Sequence, residues 1–341
     1  MRLARKAPTK KLAALVLALC CAVPLAGCGQ GKSSAGSAPA DEDSAQPVKV
    51  RLALNWYPEA EHGGYYAALL QGYYQQAGLD VEIIKGGPKA PVIPQVDKGQ
   101  FEFGVYNADG LITARSKDAE VVAVMAPLQI SPRVIMVHAA SGIDDFHELK
   151  NLTLATDHSQ AYFAFLRREI PLEGVKVVPY QGNVAQFLND PNFAQQAYVF
   201  SEPFVAEQQG GDPKSLLVAE LGFNPYTSVL ITSDRYLADH PRVVQAMVSA
   251  SRRGWQHYLE QPDETNEYLH QLNPEMTLAA LEYGVNALRP LVLDKVAQQE
   301  GIGHMSQARW QTLAEQLAEL EIAEPIDVSQ IFTARFLGQK P

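Results

Sequence analysis

Cysteine is almost absent from this chain, and it is confined to the beginning. The 341 residues include three cysteines, Cys20, Cys21 and Cys28, and none follows. The body of the protein therefore has no disulfide framework, no thiolate metal site and no thiol nucleophile. It must be held together by its own hydrophobic core, and its length is sufficient for one or two domains.

Positive charge is also scarce. The chain has 28 lysines and arginines against 38 aspartates and glutamates, a net charge of −10, and five of the basic residues lie in the first 11 positions. This balance argues against nucleic acid or an anionic lipid surface as a partner. The eight histidines include no His-x-x-x-His pair. No Gly-x-Ser-x-Gly or Gly-x-x-x-x-Gly-Lys motif occurs either, so we expect neither a metal nor a cofactor.

Long apolar runs are missing too, and the longest lies in the leader. Residues 12–25 are apolar, which is too short for a membrane span of roughly 20 residues but typical of a signal peptide. The run ends in Leu25-Ala26-Gly27-Cys28, a lipobox. We expect a lipoprotein signal peptide at 1–27, a lipid on Cys28 and a flexible tether at 28–47. The protein would then work outside the cytoplasmic membrane of a bacterium, held there by the lipid anchor alone.

After the tether, strand-like segments alternate with helical ones, and the alternation restarts near residue 150. This rhythm predicts an α/β protein with mainly parallel sheets in two units. Residues beyond about 240 are nearly all helical and are interpreted as a tail that packs on the first unit. The predicted strands are 48–54, 80–84, 101–105, 121–125, 133–138, 152–156, 175–178, 197–200 and 228–232.

In open parallel sheets the ligand lies beyond the carboxyl ends of the strands. The residues there are aromatic, amide-bearing or hydroxylic, with few charges. Such a set is typical of a site for a flat, polar, weakly charged molecule held by stacking and hydrogen bonds. The segments are 55–56, 86–88, 106–109, 125–127, 157–160, 181–183 and 201–203.

Several segments carry a family resemblance. Residues 54–62 contain the spacing Trp-x-Pro-x-x-x-His, and Gly72-Tyr73 is followed by Gly78-Leu79-Asp80-Val81. With Phe103-Gly104-Val105 and Ser201-Glu202-Pro203-Phe204, these segments resemble the NMT1/THI5-like proteins, a branch of the type II solute-binding proteins of ABC importers. The resemblance covers most of residues 48–260.

The resemblance implies a type II periplasmic-binding-protein fold with two lobes and a helical C-terminal tail packed on the first lobe. Lobe 1 would comprise 48–140 and 227–341, and lobe 2 would comprise 141–226. The chain would cross between the lobes near 139–143 and 225–228. We expect a monomer that closes over a small ligand and delivers it to an ABC permease.

Members of this family bind thiamine-precursor pyrimidines, flavin-type compounds or, more distantly, sulfonates and nitrate; the pyrimidine branch is the most similar. By resemblance, Trp56 would stack on the ring, Tyr65 or Tyr66 would close the other face, with Tyr65 favoured, and Glu202 would accept from an exocyclic amine. Trp56 could instead pack between lobes, and Glu202 or His62 could simply cap a helix. The predicted ligand-binding set is Asn55, Trp56, His62, Tyr65, Tyr106, Asn107, Ser159, Asn183 and Glu202.

An enzyme is the rival interpretation, because the same family includes a eukaryotic pyrimidine synthase. That enzyme is marked by a cysteine-rich cluster and by a histidine shortly after the Phe-Gly-Val-like segment. Here no cysteine follows Cys28, and Gly110 stands about where that histidine would be. We therefore predict a binding protein and not an enzyme.

Overall fold

The computed structural model describes residues 46–338. The predicted signal peptide, Cys28 and all but the last two residues of the predicted tether lie outside this range. Among residues 46–338, no helix combines the length and the apolar character needed to cross a bilayer.

Ten strands in this part of the chain form two five-stranded sheets. The first sheet has the strand order β2-β1-β3-β10-β4, and the second has the order β7-β6-β8-β5-β9. The strands are β1 (Val48–Ala53), β2 (Leu79–Ile84), β3 (Phe103–Tyr106), β4 (Val121–Met125), β5 (Arg133–His138), β6 (Thr153–Thr156), β7 (Lys176–Pro179), β8 (Phe193–Tyr198), β9 (Pro213–Leu217) and β10 (Val229–Ser233).

Four of the five strands in each sheet run in one direction, as the prediction of mainly parallel sheets requires, and one strand is reversed. In the first sheet β1 runs parallel to β2 and β3, whereas β10 runs antiparallel to β3 and β4. In the second sheet β6 runs parallel to β7 and β8, whereas β5 runs antiparallel to β8 and β9. The two reversed strands are the first ones after each passage between the sheets. They enter from the edge at which the other strands end, so they run in the opposite direction.

The two passages between the sheets lie side by side. The chain leaves the first sheet after Met125, enters the second at Arg133, and returns over residues 218–228. Leu128 and Thr227 form an antiparallel bridge, and the Ser131 amide donates to Asn224 Oδ1 at 2.8 Å. Because β5 belongs to the second sheet, the first passage is earlier than the predicted 139–143, and a lobe boundary at 140 comes one strand too late.

The helices cover both sheets and form the C-terminal tail, so the predicted α/β class with a helical tail is confirmed. In the tail, α9 packs along α1 and α2, and α13 packs on α4. The helices are α1 (Gly63–Leu70), α2 (Tyr73–Gln76), α3 (Val92–Asp97), α4 (Ala108–Arg115), α5 (Ala161–Glu169), α6 (Ala185–Asn189), α7 (Glu202–Gln208), α8 (Asp234–Asp239), α9 (Pro241–Glu260), α10 (Asp263–Leu272), α11 (Leu278–Val292), α12 (Lys295–Glu300) and α13 (Gln307–Glu319).

Candidate ligand-binding site

The candidate site lies where the two sheets present their strand ends to each other. Val229 at the start of β10 is paired with Tyr106 at the end of β3. Arg133 at the start of β5 is paired with Tyr198 at the end of β8. This register brings residues from the beginnings of the reversed strands next to residues from the ends of the others.

The first lobe contributes two buried glutamates, Glu59 and Glu61, from the turn before α1. Glu61 Oε2 accepts a hydrogen bond from Ser228 Oγ at 2.9 Å. Glu61 Oε1 receives no hydrogen bond from any residue in the range 46–338. Burial raises the pKa of Glu61 to about 7. Burial, with the charges of Glu61 and Glu202, raises the pKa of Glu59 well above its usual value.

The second lobe contributes Glu202, the first residue of α7. The Tyr180 hydroxyl donates to Glu202 Oε1 at 2.7 Å, and the Tyr198 amide donates to Oε2 at 2.8 Å. The Glu202 charge helps to raise the pKa of both Glu59 and Glu61, after the larger effect of burial. Carboxylates of both lobes therefore act on one another across the cleft, and hydrogen-bond donors between them would be stabilising.

These glutamates do not form a metal site. Within the described residues, no group of three or more histidine, cysteine, aspartate or glutamate side chains is arranged to hold a metal ion. The Arg133 charge lowers the pKa of Glu61, but by less than burial raises it, and N–H groups of an organic molecule could compensate the carboxylates further.

Ser228 is bound to the first lobe through hydrogen bonds in which its amide, carbonyl and hydroxyl all take part. Its amide donates to Asn107 Oδ1 at 3.3 Å, and its carbonyl accepts from the Tyr65 hydroxyl at 2.9 Å. Asn107 Nδ2 in turn donates to the Tyr198 hydroxyl at 3.2 Å. Ser228 has a φ of 55°, which is uncommon for a residue other than glycine. The surrounding hydrogen bonds hold this backbone conformation at the return passage.

Arg133 lies partly buried beside this network. Its guanidinium lies 4.1 Å from the ring centroid of Tyr198 and 4.9 Å from that of Tyr162. A cavity of about 20 Å³ adjoins it, and Asn107, Asp109 and Gln160 also line this cavity. The pKa of Asp109 is raised by burial and lowered to a smaller extent by the Arg133 charge.

Trp56 and Tyr57 provide exposed aromatic surface on the first lobe. Their side chains are 37% and 48% exposed, and their ring centroids lie 5.4 Å apart at an interplanar angle of 65°. The Gly86 amide donates to the Trp56 carbonyl at 3.1 Å, which fixes this loop against the segment after β2. The indole of Trp56 is exposed, and its stacking on a ligand stays a prediction.

Three other residues of the predicted ligand-binding set, Asn55, His62 and Tyr65, make contacts within the first lobe. Asn55 Oδ1 lies 3.0 Å from Nε2 of His62, whose ring is fully buried. Burial lowers the pKa of His62 to about 3, so the ring is neutral at physiological pH. Tyr65 is fully buried with its hydroxyl bonded to Ser228, and Tyr66 is buried against Tyr268. The structure therefore places Tyr65 behind the cleft wall, where it supports Ser228.

The remaining predicted residues make local contacts. Ser159 is exposed, and its amide and hydroxyl donate to Asp157 Oδ1 at 2.9 and 2.7 Å. Asn183 is exposed and accepts from the Ala185 amide at 3.0 Å before α6. Tyr106 is partly buried, and its ring approaches Gly110 so closely that a Cβ there would lie 2.4 Å from it. Of the predicted set, the structure brings Asn107 and Glu202 into one interlobe network.

The predicted ligand-binding set lacks several residues of this network: Glu59, Glu61, Asp109, Arg133, Tyr180, Tyr198 and Ser228. Of these, Asp109 lies within the predicted segment 106–109. Arg133 and Ser228 stand at the beginning of a strand, so a search confined to the residues after strands passes over them. Glu59 and Glu61 lie inside the Trp-x-Pro-x-x-x-His segment. Two acidic residues in an otherwise apolar and aromatic stretch are the signal that could have identified them.

The fold and the amino-acid sequence of this chain are both similar to those of known proteins. The fold is similar to that of the periplasmic aliphatic sulphonate binding protein SsuA from Escherichia coli, with a TM-score of 0.65 and 14% identity over 83% of this chain and 91% of that one. The chain is 23% identical to the riboflavin-binding protein RibY of Chloroflexus aurantiacus, over 95% of both chains. It is also 23% identical to the formylaminopyrimidine-binding protein of Halalkalibacterium halodurans, over 86% of this chain and 92% of the relative.

The chain is also similar in sequence to a protein that is named as an enzyme. The 4-amino-5-hydroxymethyl-2-methylpyrimidine phosphate synthase of Legionella pneumophila is 21% identical over 87% of this chain and 95% of its own length. Residues 59–265, well over half of the chain, match the family described as NMT1/THI5 like, and the chain belongs to that family.

Proposed function

We propose that this protein is an extracytoplasmic solute-binding protein that captures a flat, amine-bearing heterocycle between its lobes and delivers it to an ABC permease. A thiamine-precursor pyrimidine is the favoured ligand. The observation that carries the proposal is the opposition of acidic side chains across the cleft, with the buried Glu59 and Glu61 on the first lobe and the partly buried Glu202 on the second. An aminopyrimidine places N–H donors in the plane of a small ring, which suits such acceptors.

The same arrangement ties ligand binding to closure. Glu59 and Glu61 lie on one lobe and Glu202 on the other, so a donor-bearing ligand stabilises the closed arrangement by relieving repulsion between the lobes. Trp56 supplies a stacking surface at the rim. A closed, liganded form would then be the one that docks on the permease.

A flavin-type compound is the second candidate. The exposed pair Trp56 and Tyr57 offers more aromatic surface than a single pyrimidine needs, and RibY is named for riboflavin. Sulfonate or nitrate is disfavoured, because three glutamates border the cleft and would repel a strong anion.

We further propose that the protein binds its ligand without transforming it. Gly110 stands about where the synthase-type histidine would be. A Cβ there would lie 2.4 Å from the Tyr106 ring, so a larger side chain requires Tyr106 to move. The absence of cysteine after Cys28 also removes the cluster that marks the synthase.

A thermal-shift screen of residues 46–341 tests the ligand. The candidates are formylaminopyrimidine, hydroxymethylpyrimidine, thiamine, riboflavin, taurine and nitrate. A ligand that binds the folded state raises the Tm by mass action. We expect a pyrimidine to give the largest rise, and we expect Trp56→Ala and Glu202→Gln each to weaken its binding about tenfold.

Glu207→Gln is the matched control for Glu202→Gln. Glu207 lies on the same helix and is exposed, so its neutralisation should leave the ligand-induced rise in Tm unchanged. A rise with riboflavin alone would replace the ligand and keep the binding function. No rise with any of the compounds would contradict the proposed ligand class.

Cell fractionation tests the proposed location. Cys28→Ser removes the acylation site, so we expect the variant to appear in the soluble extracytoplasmic fraction and the wild type in the membrane fraction. Cys21→Ser, within the proposed signal peptide, is the matched control and should behave as the wild type does. Equal distribution of the wild type and Cys28→Ser would contradict a lipid anchor on Cys28.

A further inference from the structure

We propose that Arg133 forms a second polar subsite in the cleft, and that this subsite binds an uncharged carbonyl or hydroxyl oxygen of the ligand. The inference rests on the proposed function, because it assumes that a ligand enters the cleft. It adds a hydrogen-bond donor to a site that otherwise presents acceptors.

No acceptor from residues 46–338 pairs with the Arg133 guanidinium. Within residues 46–338 it makes no hydrogen bond and no ion pair, although it carries five N–H donors in one plane. The rings of Tyr162 and Tyr198 interact with its charge but do not accept its in-plane N–H groups. A partly buried guanidinium with unused donors next to a cavity is a binding group for an acceptor that arrives from outside the chain.

The two rings are themselves fixed, so the guanidinium is held in place before any ligand binds. The Tyr198 hydroxyl accepts from Asn107 Nδ2 at 3.2 Å. The Tyr162 hydroxyl donates to Gln196 Oε1 at 2.8 Å and also contacts Thr156 Oγ1. Side chains locked by such secondary contacts form a preorganised site.

The charges around Arg133 decide which kind of oxygen it can bind. Glu202 and Asp109 act on its charge, and its own charge acts on Glu61. A sulfonate or nitrate ion at this position would face several acidic groups and one guanidinium. An uncharged oxygen gains the charge-assisted hydrogen bond without that repulsion. The adjoining cavity of about 20 Å³ is of a size for one water-sized group.

A pair of neutral ligands that differ by one oxygen tests the subsite. Hydroxymethylpyrimidine and its analogue with a methyl group in place of the hydroxymethyl group are titrated calorimetrically into the wild type and Arg133→Met. We expect the wild type to prefer the hydroxylated ligand by about 10- to 100-fold. We expect Arg133→Met to lose that preference while it binds the methyl analogue nearly as the wild type does.

The preference ratio separates a binding role from a structural one, because a general loosening of the cleft would weaken both ligands. Arg133→Lys provides a second variant that keeps the positive charge if Arg133→Met unfolds, and it should reduce the preference because lysine cannot present paired planar donors. Arg235→Met, at an exposed arginine of α8, should retain the full preference.

Three results would overturn the subsite. An unchanged preference in Arg133→Met, with pyrimidine binding intact in the wild type, would reject the inference and leave the proposed function standing. Tight binding of taurine or nitrate that depends on Arg133 would show an anion site instead. If the wild type binds no pyrimidine and no riboflavin, the proposed function fails and the subsite fails with it.

Discussion

Replacement of Gly254 by alanine is expected to destabilise this protein by about 3 kcal/mol or more. Gly254 lies in the middle of α9, where that helix crosses α1. A Cβ at this position would lie 2.2 Å from the Gly64 carbonyl oxygen and 2.5 Å from the Ala68 Cβ. Both atoms belong to α1, and a backbone oxygen cannot rotate away, so the two helices must separate.

Separation of these helices has further consequences for the core. The Trp255 ring lies over Gly64, and the Tyr258 ring lies over Gly63, each in the space that a Cβ would occupy. Trp255 also packs edge-on against Tyr65 at 5.9 Å. A shift of α9 therefore disturbs two large buried rings and the tyrosine that holds Ser228. Alanine is favoured over glycine in a helix by about 1 kcal/mol, and this gain is too small to offset the clash.

Thermal denaturation of Gly254→Ala and Ser249→Ala measures the effect. We expect the Tm of Gly254→Ala to fall by roughly 6 to 12 °C. Ser249 is an exposed residue of the same helix, so Ser249→Ala should change the Tm by little. A Tm of Gly254→Ala within about 2 °C of the wild type would mean that α1 and α9 do not pack as closely as described.

The part of the site that sequence reasoning could predict is the part that follows local rules. Trp56 is exposed and Glu202 lies at the cleft, because a residue just after a strand or at the start of a helix has a position that the strand direction determines. Asn107 follows β3 in the same way. The positions of these residues could be predicted from the alternation of strands and helices together with the family resemblance.

The missed residues depend on topology instead. Arg133 and Ser228 reach the cleft because the chain passes between the sheets and re-enters each from the cleft edge. No periodicity in the sequence reveals that reversal. Tyr65 was misplaced for a different reason. Whether it faces the cleft or α9 depends on how closely α9 approaches, and that distance is set by Gly63, Gly64 and Gly254.

The titration of Glu61 is expected to have the second large effect, which is a change in the free energy of unfolding with pH. The Glu61 carboxyl is fully buried, and burial raises its pKa from a usual 4.5 to about 7. Below pH 4.5 the group is protonated in both the folded and the unfolded protein. Between pH 4.5 and 7 the folded protein retains a proton that the unfolded chain releases, so stability falls as the pH rises through this window. The total loss is on the order of 3 kcal/mol.

Glu61→Gln removes this titration while a side-chain oxygen can still accept from Ser228. The Tm of the variant relative to the wild type should therefore rise by roughly 6 to 12 °C between pH 5 and pH 8. The neighbouring Glu59 changes the result in the same direction, because loss of the Glu61 charge removes a contribution that raises the Glu59 pKa. Glu324→Gln, at an exposed glutamate of the tail, should show a pH-independent difference from the wild type.

The sign of the change in the Tm difference with pH shows whether the Glu61 anion is destabilised by burial or stabilised by an ion pair. If Glu61 were stabilised as an anion by Arg133, its pKa would be lowered, and Glu61→Gln would become less stable than the wild type as the pH rises. A Tm difference between Glu61→Gln and the wild type that rises with pH would support a cleft in which the Glu61 carboxylate lacks a compensating partner at neutral pH. An amine-bearing ligand would then stabilise the protein more at pH 8 than at pH 5, because its N–H donors replace the protons that Glu61 has released.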